Sequence, residues 1–125
     1  MKEFMLLIRN AIDNQAGWSP ERHKQFLRKC ESYIGNLQKD GKLISAQPLL
    51  REGKIISGTK GAWKETPLGE TNEVQVGYYH ILARDMNEAI AIAKENTEFE
   101  FGTTARIEVR PIKMKEDSTE FVYPK

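Results

Sequence analysis

Apolar positions along the chain fall into four short runs and two helical stripes, with one polar hairpin between them. Phe4-Met5-Leu6-Leu7-Ile8 is bounded by charge and reads as a strand. Phe4, Leu6 and Ile8 alternate with Met5 and Leu7, so both of its faces are apolar and both predict cover. Asn10 to Trp18 reads as a loop, with Asp13, Asn14 and Gly17 as turn residues. Ser19-Pro20-Glu21 then opens a helix: serine caps, proline occupies the first turn and glutamate complements the dipole. Phe26, Cys30, Tyr33, Ile34 and Leu37 recur at helical spacing, and Asp40-Gly41 stops a helix placed over about Pro20 to Lys39.

Leu43 to Ala46 is a second strand, disturbed at its far end by Pro48. Lys54 to Ser57 and Ala62 to Lys64 form a polar hairpin around Gly58-Thr59-Lys60-Gly61. Val74 to Leu82 is the strongest strand pattern. Strict alternation puts Val74, Val76, Tyr78, His80 and Leu82 on one face, and Gln75, Gly77, Tyr79 and Ile81 on the other. Asp85 and Glu88 form a capping box for a helix to about Asn96, whose alanines allow close approach to a sheet. Ala105 to Ile112 closes the pattern, with Ala105, Ile107 and Val109 opposite Arg106, Glu108 and Arg110. Residues 113–125 are a charged tail ending in Phe121-Val122-Tyr123-Pro124, either frayed or tied to a neighbour by its aromatics.

Strand, helix, strand with an inserted hairpin, strand, helix, strand is the order of an α+β, ferredoxin-like split βαβ fold. Right-handed crossovers put both helices on one face of the sheet. The other face still carries apolar and aromatic positions, more than a monomer usually exposes. A second copy, sheet against sheet, is the simplest cover, so the pattern predicts a homodimer.

The 125 residues fit one domain. Nineteen basic against eighteen acidic residues leave a formal charge of +1, which gives no electrostatic reason to expect nucleic acid or an anionic membrane as partner. Cys30 is the sole cysteine, so no disulfide forms within the chain, thiols are too few for structural zinc, and a reducing compartment fits. The five apolar residues before Arg9 are too short a run for a signal-peptide core or a membrane span. The expectation is a cytoplasmic protein without metal or cofactor.

From Glu65 onward the chain resembles the YCII-related family, in its DGPF-type branch. Glu65-Thr66-Pro67-Leu68-Gly69-Glu70-Thr71-Asn72-Glu73 stands on the family pattern Asp-Gly-Pro-Phe-Ala-Glu-Thr-Lys-Glu, but departs from its name-giving part: Glu65 replaces the aspartate, Thr66 the glycine and Leu68 the phenylalanine. Gly77-Tyr78-Tyr79, Asn87-Glu88-Ala89 and Glu108-Val109-Arg110-Pro111-Ile112 follow in the family's order. Phe4-Met5-Leu6-Leu7-Ile8 and Gly41-Lys42-Leu43 are also similar to the family's opening strand and first helix exit, so the resemblance covers about residues 2–112, and residues 1–112 are taken as the domain. It implies a ferredoxin-like dimeric α+β barrel. Relatives with an activity use a His-Asp pair on small molecules, and the histidine sits early in the first helix, where His23 stands here.

Two functions follow. In one, a pocket at the sheet and dimer cleft binds a small molecule without turnover. In the other, the protein is an acid–base enzyme in which His23 or Glu70 abstracts a proton or drives an elimination. His23 lies three residues before Phe26, on the helix stripe expected to face the sheet; the plainer reading is a histidine hydrogen-bonded locally. Glu70 and Glu73 match acidic positions of the family, and Glu73 could instead pair with Arg106 or Arg110. Arg110 would reach an anionic substrate if its face opens on the cleft. Tyr78 and Tyr79 point to opposite faces, so one lines the pocket and the other enters the core. His80 is read as structural, and Cys30 as inert core.

Overall fold

The structure, a computed structural model, describes residues 1–124; Lys125, the last residue of the expected tail, lies outside the described residues. The elements in order are β1 (Lys2–Ala11), α1 (Pro20–Lys39), β2 (Leu43–Pro48), β3 (Lys54–Thr59), β4 (Ala62–Pro67), β5 (Glu73–Ala83), α2 (Met86–Lys94) and β6 (Arg106–Pro111). A single 3-10 turn, Thr97–Glu100, follows α2. The architecture is mixed α+β. Four strands form one antiparallel sheet in the order β2-β5-β1-β6, and β3 and β4 form a separate hairpin.

Local chemistry starts both helices where the sequence placed them. Ser19 Oγ accepts from the Arg22 amide at the start of α1. Asp85 accepts from the Glu88 amide, while the Glu88 carboxylate reaches back to the Arg84 amide. That carboxylate also pairs with the Arg84 and Lys42 side chains. α2 ends at Lys94, two residues short of the expected end, because Asn96 caps the 3-10 turn that follows.

Both helices lie on one face of the sheet. Phe4, Leu6 and Ile8 of β1 are buried there with Tyr33 and Leu37 of α1 and Ala89 and Ala93 of α2. The Tyr33 ring meets Tyr79 edge-on at 5.3 Å, and its hydroxyl donates to the Ile92 carbonyl of α2. The alanines bring α2 close to the sheet, since a larger residue at either buried position would hold the layers apart.

Strict alternation along β5 does not hold. Ile8 pairs with Gly77 but Arg9 pairs with Gln75, so β5 carries one extra residue at Val76. The bulge changes the phase of the strand. Val74 and Val76 therefore share the buried face with Tyr79 and Ile81, while Gln75, Tyr78, His80 and Leu82 are half-buried on the opposite face. Gly77 sits at the bulge because a side chain there would come within 3.0 Å of the Gln47 carbonyl of β2. This corrects the expected grouping of Tyr78 with Val74 and Val76, since one inserted residue reverses every side chain beyond it.

The far end of the core is polar. Asn10 is 2% exposed and donates to the Glu98 carboxylate at 2.9 Å, and Thr104 donates to the Asn10 side-chain oxygen. Burial pushes the Glu98 carboxyl above its usual range, although the Asn10 bond and the Arg51 charge oppose the shift.

Two outcomes test these local assignments. Asp85→Ala should lower stability by about 0.5–2 kcal/mol through loss of the α2 cap, read as a denaturation midpoint. Because its folded pKa is raised, Glu98 withdraws stability as pH rises from the unfolded carboxylate range through the folded value. Glu98→Gln keeps an acceptor for Asn10, so its midpoint should exceed the wild type's at neutral pH, and the gap should close in acid.

Candidate functional site

The sheet face without helices is built in rows by the strand register. Arg110, Met5 and His80 stand side by side on β6, β1 and β5, as do Glu108, Leu7 and Tyr78, and then Arg106, Arg9 and Gln75. β2 extends the first row with Ser45. Met5, Leu7, Tyr78 and His80 are half-buried in a single chain, so this face is neither core nor ordinary surface.

At one end of the face the C-terminal segment folds back over the sheet. The Ile112 amide donates to the Glu3 carbonyl, which prolongs the β6 pairing by one residue. Met114 to Tyr123 then doubles on itself: Lys115 bridges Val122, and backbone bonds join Glu116 to Phe121 and Tyr123 to Met114. The Tyr123 hydroxyl and the Lys113 ammonium both bind the Glu116 carboxylate. Of the two outcomes expected for the tail, a frayed end and an aromatic tie, the described residues take an ordered hairpin.

Between this hairpin and the sheet lies a cavity of about 420 Å³, of the size that small-molecule sites occupy. Ile44, Ile112, Met114, Tyr123 and Pro124 give it an apolar wall. Glu3 and His80 supply polar groups, with Lys113 at the rim. His80 Nε2 lies 2.7 Å from Glu3 Oε1, and both side chains are largely withdrawn from solvent. A second, smaller cavity of about 290 Å³ lies between the helices and is lined in part by Ser32, Asn36, Ile92 and Glu95.

At the other end of the face an ionic cluster replaces the apolar rows. Glu73 Oε1 and Oε2 accept a two-pronged pair from Arg106 at 2.7 and 2.9 Å, and Arg9 Nε donates at 2.8 Å. The Arg106 and Arg9 hydrogen bonds hold the Glu73 carboxyl down at about 2. Glu3 and Arg9 are six steps apart along β1, roughly 20 Å at the rise of a strand, so the two ends are separate sites.

The sequence-predicted residues distribute as follows. Tyr78 and Arg110 lie on the open face with Glu73, and the Arg110 guanidinium stands 3.9 Å from Glu108. Glu73 is a fixed carboxylate in its arginine pairs. Tyr79 is in the core against Tyr33, and burial pushes its hydroxyl pKa up. Glu70 is exposed in the turn before β5. His23 is exposed as well, which corrects its expected placement against the sheet. The first turn of α1 overhangs the end of the core, where Phe26 packs on Trp18 and Phe101 and the guanidinium of Arg22 lies over both of the latter rings. His23 meets only the edge of Trp18, at 6.2 Å, and has no carboxylate within ion-pair reach among the described residues. Neither His23 nor Glu70 lines either cavity.

Sequence reasoning missed the Glu3–His80 pair. The available signal was a histidine alternating with Tyr78 on the central strand, but its partner lies 77 residues away and depends on strand register. Among the described residues no trio of His, Cys, Asp or Glu gathers as a metal site, and no helix is long and apolar enough to cross a membrane. A scan against protein-family models finds no matching family, and a search of curated proteins finds no match.

The depressed Glu73 pKa has a defined sign. The group contributes stability above the usual carboxylate range, and that contribution is lost as pH falls through about 2. Glu73→Gln should therefore be less stable than the wild type at neutral pH, with the difference vanishing in strong acid and shrinking in high salt. Urea denaturation across pH and ionic strength measures both.

Proposed function

We propose that this chain is a ferredoxin-like, YCII-related protein of the DGPF type that binds a small molecule in the cavity between the open sheet face and the C-terminal hairpin. The observation that carries the reading is that cavity: about 420 Å³, apolar over most of its wall, with one histidine–carboxylate pair aligned at 2.7 Å. Such a combination gives a ligand both area to bury and a group that fixes its orientation. The strand order and the placement of both helices on one face support the ferredoxin-like assignment.

A second copy closes the rest of the face, as in a dimeric α+β barrel. Met5, Leu7 and Tyr78 form an apolar centre, and Arg9, Arg106 and Arg110 with Glu73 and Glu108 surround it with both signs of charge. A surface of this kind suits a self-complementary twofold contact, in which each copy's basic positions meet the other's acidic ones. Catalysis through His23 lacks support, since among the described residues it has no carboxylate within ion-pair reach and it does not line the cavity.

Native mass spectrometry of the purified full chain tests both parts. The expected species is twice the 14.3 kDa chain mass, carrying a small-molecule adduct that Ile44→Trp displaces by filling the cavity. A monomer at micromolar concentration would remove the sheet-to-sheet assembly. An adduct retained by Ile44→Trp would place the ligand elsewhere.

A further inference from the structure

Resting on the ligand cavity proposed above, we infer that His80 is the proton acceptor for the bound molecule and Glu3 is its positioning residue. The ligand class is then a small neutral weak acid with an apolar body. A carboxylate can only accept a hydrogen bond, so in the 2.7 Å contact between His80 Nε2 and Glu3 Oε1 the hydrogen sits on Nε2. In the neutral ring this leaves the lone pair on Nδ1, which has no protein partner among the described residues. Both members of the pair line the cavity, which puts the imidazole of His80 against the ligand.

The remaining wall sets the ligand class. Ile44, Ile112, Met114 and Pro124 offer no side-chain hydrogen bonds, and a polar body placed against them would lose its water without compensation. Lys113 and Tyr123 are both engaged with Glu116. One acidic X–H group therefore suffices. Its bond to hydrogen breaks, a bond forms from that hydrogen to Nδ1, and the electron pair stays on the ligand as an anion. The resulting imidazolium is held between this anion and Glu3. Among the described residues, the charged groups around it include Lys113 and Glu116 of the C-terminal hairpin and Arg110 in the same row of the sheet, with the Tyr123 hydroxyl alongside.

The test uses the full chain with para-nitrophenol, an apolar weak acid whose anion absorbs visible light. At about pH 7.5, where an ordinary imidazole is largely neutral and part of the free dye is still protonated, binding should cut the dye's protonated fraction about tenfold and raise its ionised fraction to match. The methyl resonances of Ile44, Ile112 and Met114 should shift with the same dissociation constant. His80→Gln keeps a donor toward Glu3 and should bind the dye without ionising it. Glu3→Gln should bind it with a reduced rise, restored in part by Glu3→Asp. Nitrogen NMR of the wild-type imidazole should show Nδ1 becoming protonated on dye addition, a readout independent of how the variants fold. Dye bound without ionisation, or an equal rise in His80→Gln, overturns the proton transfer and leaves the ligand cavity standing. Absence of any shift at the three methyl positions overturns both.

Discussion

The molecule depends on β1 being paired on both sides. Its hydrogen bonds run to β5 along one edge and β6 along the other, and Phe4, Leu6 and Ile8 are nearly or fully buried beneath the helices. Removing a side chain of this kind from such a position costs about 2–5 kcal/mol, a large part of the stability of a small domain. The same strand presents Glu3, Met5, Leu7 and Arg9 to the opposite face. Every residue of β1 is therefore committed twice: its backbone to the sheet, and its side chain either to the core or to the open face.

That double commitment explains why the open face changes character along its length. Near Arg9 the neighbouring strands supply Arg106 and Glu73, and charge satisfies charge at the sheet surface. In the middle, Met5, Leu7 and Tyr78 leave apolar area half-covered. Near Glu3 the chain covers its own sheet with the C-terminal hairpin, but the cover stands off far enough to leave a cavity. A hairpin held by its own Glu116, Tyr123 and Lys113 contacts, and not by close packing on the sheet, is the physical reason a space remains beneath it.

The β3–β4 hairpin contrasts with this arrangement. It pairs with itself, and Ile55, Ile56 and Trp63 remain exposed. Its base is fixed instead by the turn beyond it. Gly69, at φ +87°, lies so close to Ile12 that a side chain there would come within 2.8 Å of it, and Asn72 accepts from the Ile12 amide. Arg51 adds bonds to the Ala11 and Ile12 carbonyls from the other arm. The arm is thus anchored at its root while its tip stays open to solvent.

The sequence by itself determined what is written within a few residues of one another. Ser19-Pro20 marked the start of α1, Asp85 and Glu88 marked α2, and the period of the apolar positions separated helices from strands, because caps and amphipathic faces are local hydrogen-bonding and solvation effects. It also identified Glu73 as a possible partner of Arg106, since both stood beside strands expected in one sheet. Only the tertiary structure decided the rest. The bulge at Val76 reversed the faces of β5, which put Tyr79 in the core with Val74 and left Tyr78 and His80 outside. The Trp18, Phe26 and Phe101 cluster closed the end of α1, so that His23 faces away from the sheet. Glu3 and His80 met because β1 and β5 pair in one register and not in the next. Such a pairing depends on the whole sheet closing at once, and a slip of one residue would have sent the two side chains to opposite faces.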